Sequence, residues 1–257
     1  MRLAKALGVI SLTALLLAGC APDHGLDGLA DGGRGVVAEA TAGDALLLTD
    51  GRRVRLAGVE APHGSDPYAA EARGALDRLA KGREVQLLHG GARADAYGRV
   101  LAQLRDSKSR AWMQGELLEA GAVRMRSYPD NRALARPMQT AEARARIARR
   151  GLWALAGYGV RLPQEIDAAD GGFTLVEGRV GRVVRSGRSL FIDFERRGEG
   201  VVSTETPLVA ESDFAVAGID FTRLQGRLVR VRGALYRSRI RLDHPEQLEL
   251  LRELAVK

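Results

Sequence analysis

The chain is broken into strand-length runs, and these fall into two sets of five. The first set is 36–40, 45–49, 53–59, 84–89 and 99–105; the second is 173–184, 189–194, 201–204, 228–236 and 240–242. Runs this short, evenly spaced and separated by turn residues, favour a small closed barrel over an open sheet. Asp50-Gly51 suits the positive φ of a tight hairpin, and Pro62 ends the third run. Three helical segments interrupt the first set. Ala69, Ala72, Leu76 and Leu79 recur at helical spacing within 68–81, with Gly82 as the stop. A second helix at 110–119 carries Trp112, Met113 and Leu117, and a third spans about 138–149 with Gly151 beyond it. A further helix is expected near 212–217. Pro163, several acidic residues and Gly171-Gly172 mark 162–172 as a boundary. The expected fold is mainly β with helices, a barrel with three helices over 36–160 followed by a second, smaller barrel over 173–257.

Composition sets limits on this reading. The 257 residues are 46% hydrophobic and 28% charged, which excludes disordered, collagenous and polytopic membrane classes. The single cysteine rules out an internal disulfide and any Cys-rich zinc or iron-sulfur site. It follows Leu17-Ala18-Gly19, after Arg2, Lys5 and a mostly apolar stretch at 6–18. That order reads as an export signal too short to span a bilayer, and 17–20 resembles a bacterial lipobox. The resemblance implies a signal peptide at 1–19, lipidation of Cys20 and attachment to the membrane through that lipid. Ala21, in place of an inner-membrane-retaining aspartate, points to the outer membrane of the cell envelope, facing periplasm or surface. Residues 20–35, rich in Gly and Asp, read as a flexible tether. Loss of Arg2 and Lys5 lowers the formal charge from +7, so overall basicity is weak evidence for a polyanionic partner.

Three segments carry the chemistry: Ala42-Gly43-Asp44, then Val54-Arg55-Leu56-Ala57-Gly58-Val59-Glu60-Ala61-Pro62-His63, then Asp95-Ala96-Tyr97-Gly98-Arg99. With Pro67-Tyr68-Ala69-Ala70-Glu71-Ala72 and Arg150-Gly151-Leu152-Trp153, their order and spacing resemble the staphylococcal nuclease-like (thermonuclease) family along 36–153. The resemblance implies an OB-fold barrel and metal-dependent hydrolysis of phosphodiester bonds in DNA or RNA. It places Asp44 and Glu60 as the two calcium-binding carboxylates, with the Ala61 carbonyl as a third oxygen. It assigns Arg55 and Arg99 to the scissile phosphate, and Asp95 and Tyr97 to the substrate pocket. Fixed guanidinium donors suit a phosphodiester that gains negative charge as water attacks.

The departure is at His63, where active members of the family carry the glutamate usually assigned as general base. Histidine accepts a proton near neutral pH, so hydrolysis is not forbidden. Losing a carboxylate weakens a calcium site, because calcium favours hard oxygen ligands. His63 is therefore either a catalytic base or ligand, or an ordinary turn residue in a weakened site. Correspondingly, the chain is either a calcium-dependent envelope nuclease or a catalytically inactive envelope lipoprotein that binds nucleic acid or a protein partner. Nothing in the sequence requires an obligate protein partner.

Further residues have plainer readings. Met125 stands about where the family often offers an aromatic to the base. The eight arginines of 124–150 form either a solvated face or an attractor for nucleic acid. Arg227, Arg230 and Arg232 suggest a basic face on the second barrel, either merely exposed or binding an anionic polymer. Trp112 and Trp153 read as core, and His24, His89 and His244 as structural. The second barrel, with its ending Asp243-His244-Pro245-Glu246-Gln247, resembles C-terminal regions that accompany thermonuclease-like domains in some bacterial proteins, and it carries no evident catalytic constellation.

Overall fold

The computed structural model describes residues 24–195 and 202–252. The expected signal peptide and Cys20 lie outside the described residues. The first unit is built from β1 (Ala30–Ala42), β2 (Ala45–Leu48), β3 (Arg53–Leu56), β4 (Val59–Glu60), α1 (Ala69–Ala80), β5 (Glu84–His89), β6 (Val100–Asp106), α2 (Met113–Glu119), β7 (Arg124–Met125) and α3 (Ala135–Ile147). Strands β1, β2, β3, β6 and β5 close into a barrel in that order, antiparallel throughout except for the parallel pair β3–β6. Leu46, Val54, Leu56, Leu87 and Leu104 fill its interior, and α1 packs Ala72, Leu76 and Ala80 against the same core.

The second unit repeats the plan. Its elements are β8 (Val160–Arg161), β9 (Gly172–Ser186), β10 (Ser189–Phe194), β11 (Ser203–Pro207), α4 (Glu211–Val216), β12 (Leu228–Tyr236), β13 (Arg239–Arg241) and β14 (Leu248–Leu250). Pairing runs β9–β10–β11–β13–β12 and returns to β9, with β11–β13 the parallel pair. Both barrels therefore have the strand order 1-2-3-5-4 with a helix between the third and fourth strands, which is the OB arrangement expected above. Phe214 of α4, Ile192, Val229 and Val231 lie in the second core.

The units are joined closely. The short strand β8 leaves the first unit and pairs in parallel with β9. Ala145, Leu152 and Trp153 pack on Leu175, with Tyr158 and Phe173 alongside. Trp112 and Trp153 are buried, as expected.

Three expectations need correction. The segment read as a tether is ordered from residue 24 onward: Leu26 is buried, and β1 begins at Ala30 and pairs with β5 from Ala30↔His89 to Val36↔Glu84. Its glycines serve a bulged strand. A Cβ on Gly32 would fall 2.3 Å from His89 Nε2, and the register shifts between Asp31 and Arg34. The run read as one strand over 53–59 breaks at Gly58, whose φ of 76° is a left-handed conformation that turns the chain out of the barrel. Val59–Glu60 pairs instead with β7. Finally, α3 starts before Pro137, because a proline in the first helical turn gives up an N–H that has no helical acceptor.

Candidate phosphate-binding site

The turn between β1 and β2 places Asp44 in the interior, where its side chain is fully buried. Its Oδ2 accepts the Ala61 N–H at 2.7 Å and lies 2.9 Å from Arg55 Nη2 and 3.3 Å from His63 Nε2. Arg55, on β3, also donates to the carbonyls of Asp44 (3.2 Å) and Leu56 (2.9 Å). Burial pushes the Asp44 carboxyl up, but the His63 hydrogen bond, the Arg55 charge and the Ala61 N–H together outweigh it and hold it below the usual carboxylate value. The same hydrogen bond to Asp44 raises the His63 imidazole above its ordinary value, against burial and the Arg55 charge. His63 is fixed through its backbone, whose N–H donates to Asp66 Oδ2 at 3.1 Å, while its ring stays half-exposed.

Glu60 turns the other way. Its Oε1 is paired with Arg126 Nη1, and its Oε2 is 3.8 Å from Arg124 Nη2. The β4–β7 pairing sets Glu60 opposite Arg124 and so fixes this arrangement. The Arg124 guanidinium stacks over the rings of Tyr158 (5.0 Å) and Phe173 (4.9 Å) and donates to the Phe173 carbonyl at 3.0 Å.

The third segment is a turn organised by Asp95. Its Oδ1 accepts the backbone N–H groups of Tyr97 (2.9 Å) and Arg99 (3.0 Å), and its Oδ2 accepts Arg99 Nε at 2.6 Å. Burial raises the Asp95 carboxyl, but the Arg99 backbone and side-chain bonds and the Tyr97 N–H lower it overall. Tyr97 is 80% exposed, with the Arg99 guanidinium 5.6 Å from its ring centre.

Arg55, Asp95, Tyr97 and Arg99 line one cavity of about 320 Å³, with Tyr128 and Asn131 on its far wall. Asp44, Glu60, Ala61 and His63 do not line it. Arg55 joins the two groups, touching Asp44 and facing the cavity. Tyr128 and Asn131 were not singled out from the sequence; Tyr128-Pro129-Asp130-Asn131 signals only a turn. Met125 is fully buried and cannot stack on a base, whereas Tyr128 is 45% exposed. A roomier cavity of about 510 Å³ between α2 and α3, lined by His24, Trp112 and Arg144, holds none of the expected site residues.

A family model, the Staphylococcal nuclease homologue, matches residues 53–155. Residues 53–155 are a staphylococcal nuclease-like domain. The matched stretch holds Arg55, Glu60, Ala61, His63, Asp95, Tyr97 and Arg99; Asp44 precedes it and the second barrel follows it. No curated protein matches the chain at a significant level.

The nuclease-like domain does not offer the donor set that calcium requires. Asp44 Oδ1 and Glu60 Oε2 are each buried without a hydrogen-bond partner, which leaves one free oxygen on each carboxylate. The charges around them are already met, however, Asp44 by Arg55 and His63 and Glu60 by Arg124 and Arg126. The contact Ala61 makes with Asp44 is through its N–H. Among the described residues, no three acidic, His or Cys side chains come together. A divalent cation would have to enter beside guanidinium groups and displace them from their carboxylates.

Two basic stretches also prove to be engaged. Arg132 pairs with Glu246 and Asp213, Arg144 with Glu119, and Arg146 with Glu142, so much of 124–150 is committed to internal contacts. Arg232 is buried against Glu142 and Glu249, and Arg230 pairs with Glu177 and Glu249. The basic face expected on the second barrel is therefore mostly an internal ion-pair network.

Proposed function

We propose that the nuclease-like domain binds a nucleic-acid phosphodiester in the cavity between Arg55 and Arg99 and hydrolyses it. The observation that carries this reading is the pair of arginines lining one cavity, one of them held by a buried carboxylate that also holds His63. As water adds to phosphorus and the bond to the leaving oxygen breaks, Arg55 and Arg99 stabilise the charge growing on the non-bridging oxygens. His63 does not line the cavity but is held beside Arg55 by the Asp44 oxygen that both contact, and from there it accepts the proton of the attacking water. Tyr97 and Tyr128 offer aromatic faces to the adjoining base.

The mature protein works in the cell envelope, anchored by lipid on Cys20, a reading supported by the Leu17-Ala18-Gly19-Cys20 segment. The engagement of Glu60 by two arginines favours a second reading, a domain that binds nucleic acid without cleaving it. Incubating the mature protein with single-stranded DNA and RNA, with and without calcium, separates the two. Cleavage lost in His63→Ala and Arg99→Ala supports hydrolysis. Salt-sensitive binding with no cleavage under any divalent ion supports the second reading.

A further inference from the structure

Tyr128 stands between two cavities. One is the cavity of Arg55 and Arg99; the other, about 230 Å³, lies in the seam between the barrels. The first barrel lines the seam with Arg126, Ser127 and Tyr128, and the second with Phe173, Arg241 and His244. The seam combines the two features by which proteins hold single strands, aromatic platforms and exposed cations. The Arg126 guanidinium is spaced 5.4 Å from the Tyr128 ring and 5.5 Å from that of Phe173. Arg241 leaves 62% of its side chain exposed and has, among the described residues, one ion pair, to Asp243 at 2.6 Å. Asp243 is itself partly exposed to solvent, so a phosphate can compete for the guanidinium at modest cost in desolvation.

We propose that the seam is a second nucleotide subsite, contributed largely by the C-terminal barrel, for the stretch of single strand that flanks the bound phosphodiester. The strand passes over the edge of Tyr128, a base lies against that ring, and the next phosphate meets Arg241. At about 230 Å³ the cavity is far too small for a duplex. The inference rests on the reading that the first cavity takes a phosphodiester, and it adds a function for a barrel to which no catalytic constellation is assigned among the described residues.

Fluorescence anisotropy at one fixed salt concentration, with a labelled dinucleotide and a labelled octanucleotide of single-stranded DNA, tests it on the full mature chain. Wild type binds the octanucleotide more tightly than the dinucleotide. Arg241→Ala weakens octanucleotide binding about tenfold, as for the loss of one phosphate contact, and leaves dinucleotide binding unchanged. Tyr128→Leu weakens both, since that ring borders both cavities. Equal octanucleotide affinities in wild type and Arg241→Ala overturn the subsite, as does an equal loss with both probes. If wild type binds neither probe, the phosphodiester reading itself fails and the subsite falls with it. Dinucleotide binding that is lost in Arg99→Ala but does not strengthen with length overturns only the seam. Circular dichroism confirms that the exposed Arg241 substitution leaves the fold intact.

Discussion

Asp44 shows how little freedom a buried carboxylate has once three donors converge on one oxygen. Arg55, His63 and the Ala61 N–H all meet that oxygen, so the residue anchors both Arg55 and His63. Arg99 is held differently, by a carboxylate on its own turn, and its exposed edge faces the cavity. Arg99→Ala is expected to lower kcat/KM on an oligonucleotide about a hundredfold while leaving the thermal midpoint nearly unchanged, because one preorganised donor to the transition state is lost. A rise in KM with kcat unchanged would mean that Arg99 binds ground state and transition state equally. Calcium gives a second expectation at this scale. A ligand that binds only the folded state raises its stability with concentration, so a thermal midpoint that is the same with millimolar calcium as with chelator fits carboxylates already paired to arginine. A midpoint that climbs with calcium would show that the ion displaces Arg126 from Glu60.

Helix α3 and strand β12 are locked by charge at the element scale. Glu142 on α3 is fully buried, accepts the Met125 N–H at 2.9 Å and pairs with Arg232 of β12 at 2.8 Å. Arg232→Met leaves that carboxylate with Arg146 at 3.5 Å as its remaining ion pair among the described residues. The substitution is expected to destabilise the protein by about 3 kcal/mol. Adding Glu142→Gln should recover part of the loss, and denaturant titration of both variants checks this. These contacts also show what the sequence could and could not disclose. The strand runs, α1 and the Asp95–Arg99 turn were legible because each depends on local spacing. The partners of Glu60 were not, since Arg124 and Arg126 reach it only through a β4–β7 pairing set by the turn at Gly58. Arg232 misled because alternation along a strand reveals a face, and the face it lies on is covered by α3. The glycines before Val36 looked like linker because composition cannot distinguish a bulged strand from a tether.

Across the whole molecule, two barrels of one topology meet along a seam stitched by charge. Glu246 in the second accepts Arg132 of the first at 2.8 and 3.1 Å and lies 3.0 Å from His244 Nδ1. Burial pushes its carboxyl up, but the His244 and Arg132 hydrogen bonds overcome this and bring it down to about 2 from 4.5. Because the folded value is the lower one, the stabilisation is fully present above pH 4.5 and is lost as pH falls toward 2. Thermal midpoints measured across that window should fall more steeply for wild type than for Glu246→Gln. Parallel curves would show that the carboxylate contributes no acid-sensitive stability.

The Glu142–Arg232 contact also bears on whether the first barrel can stand alone. Its two residues lie 90 positions apart in the chain, so a first barrel without the second would keep a buried carboxylate in its helical layer without its nearest counter-charge. Such a barrel is expected to hold α3, and the β7 strand that Glu142 fastens, less firmly. A chain truncated after residue 160 would carry every residue expected at the catalytic site, and is expected to hold Arg124, and with it Glu60, less firmly than the whole chain does.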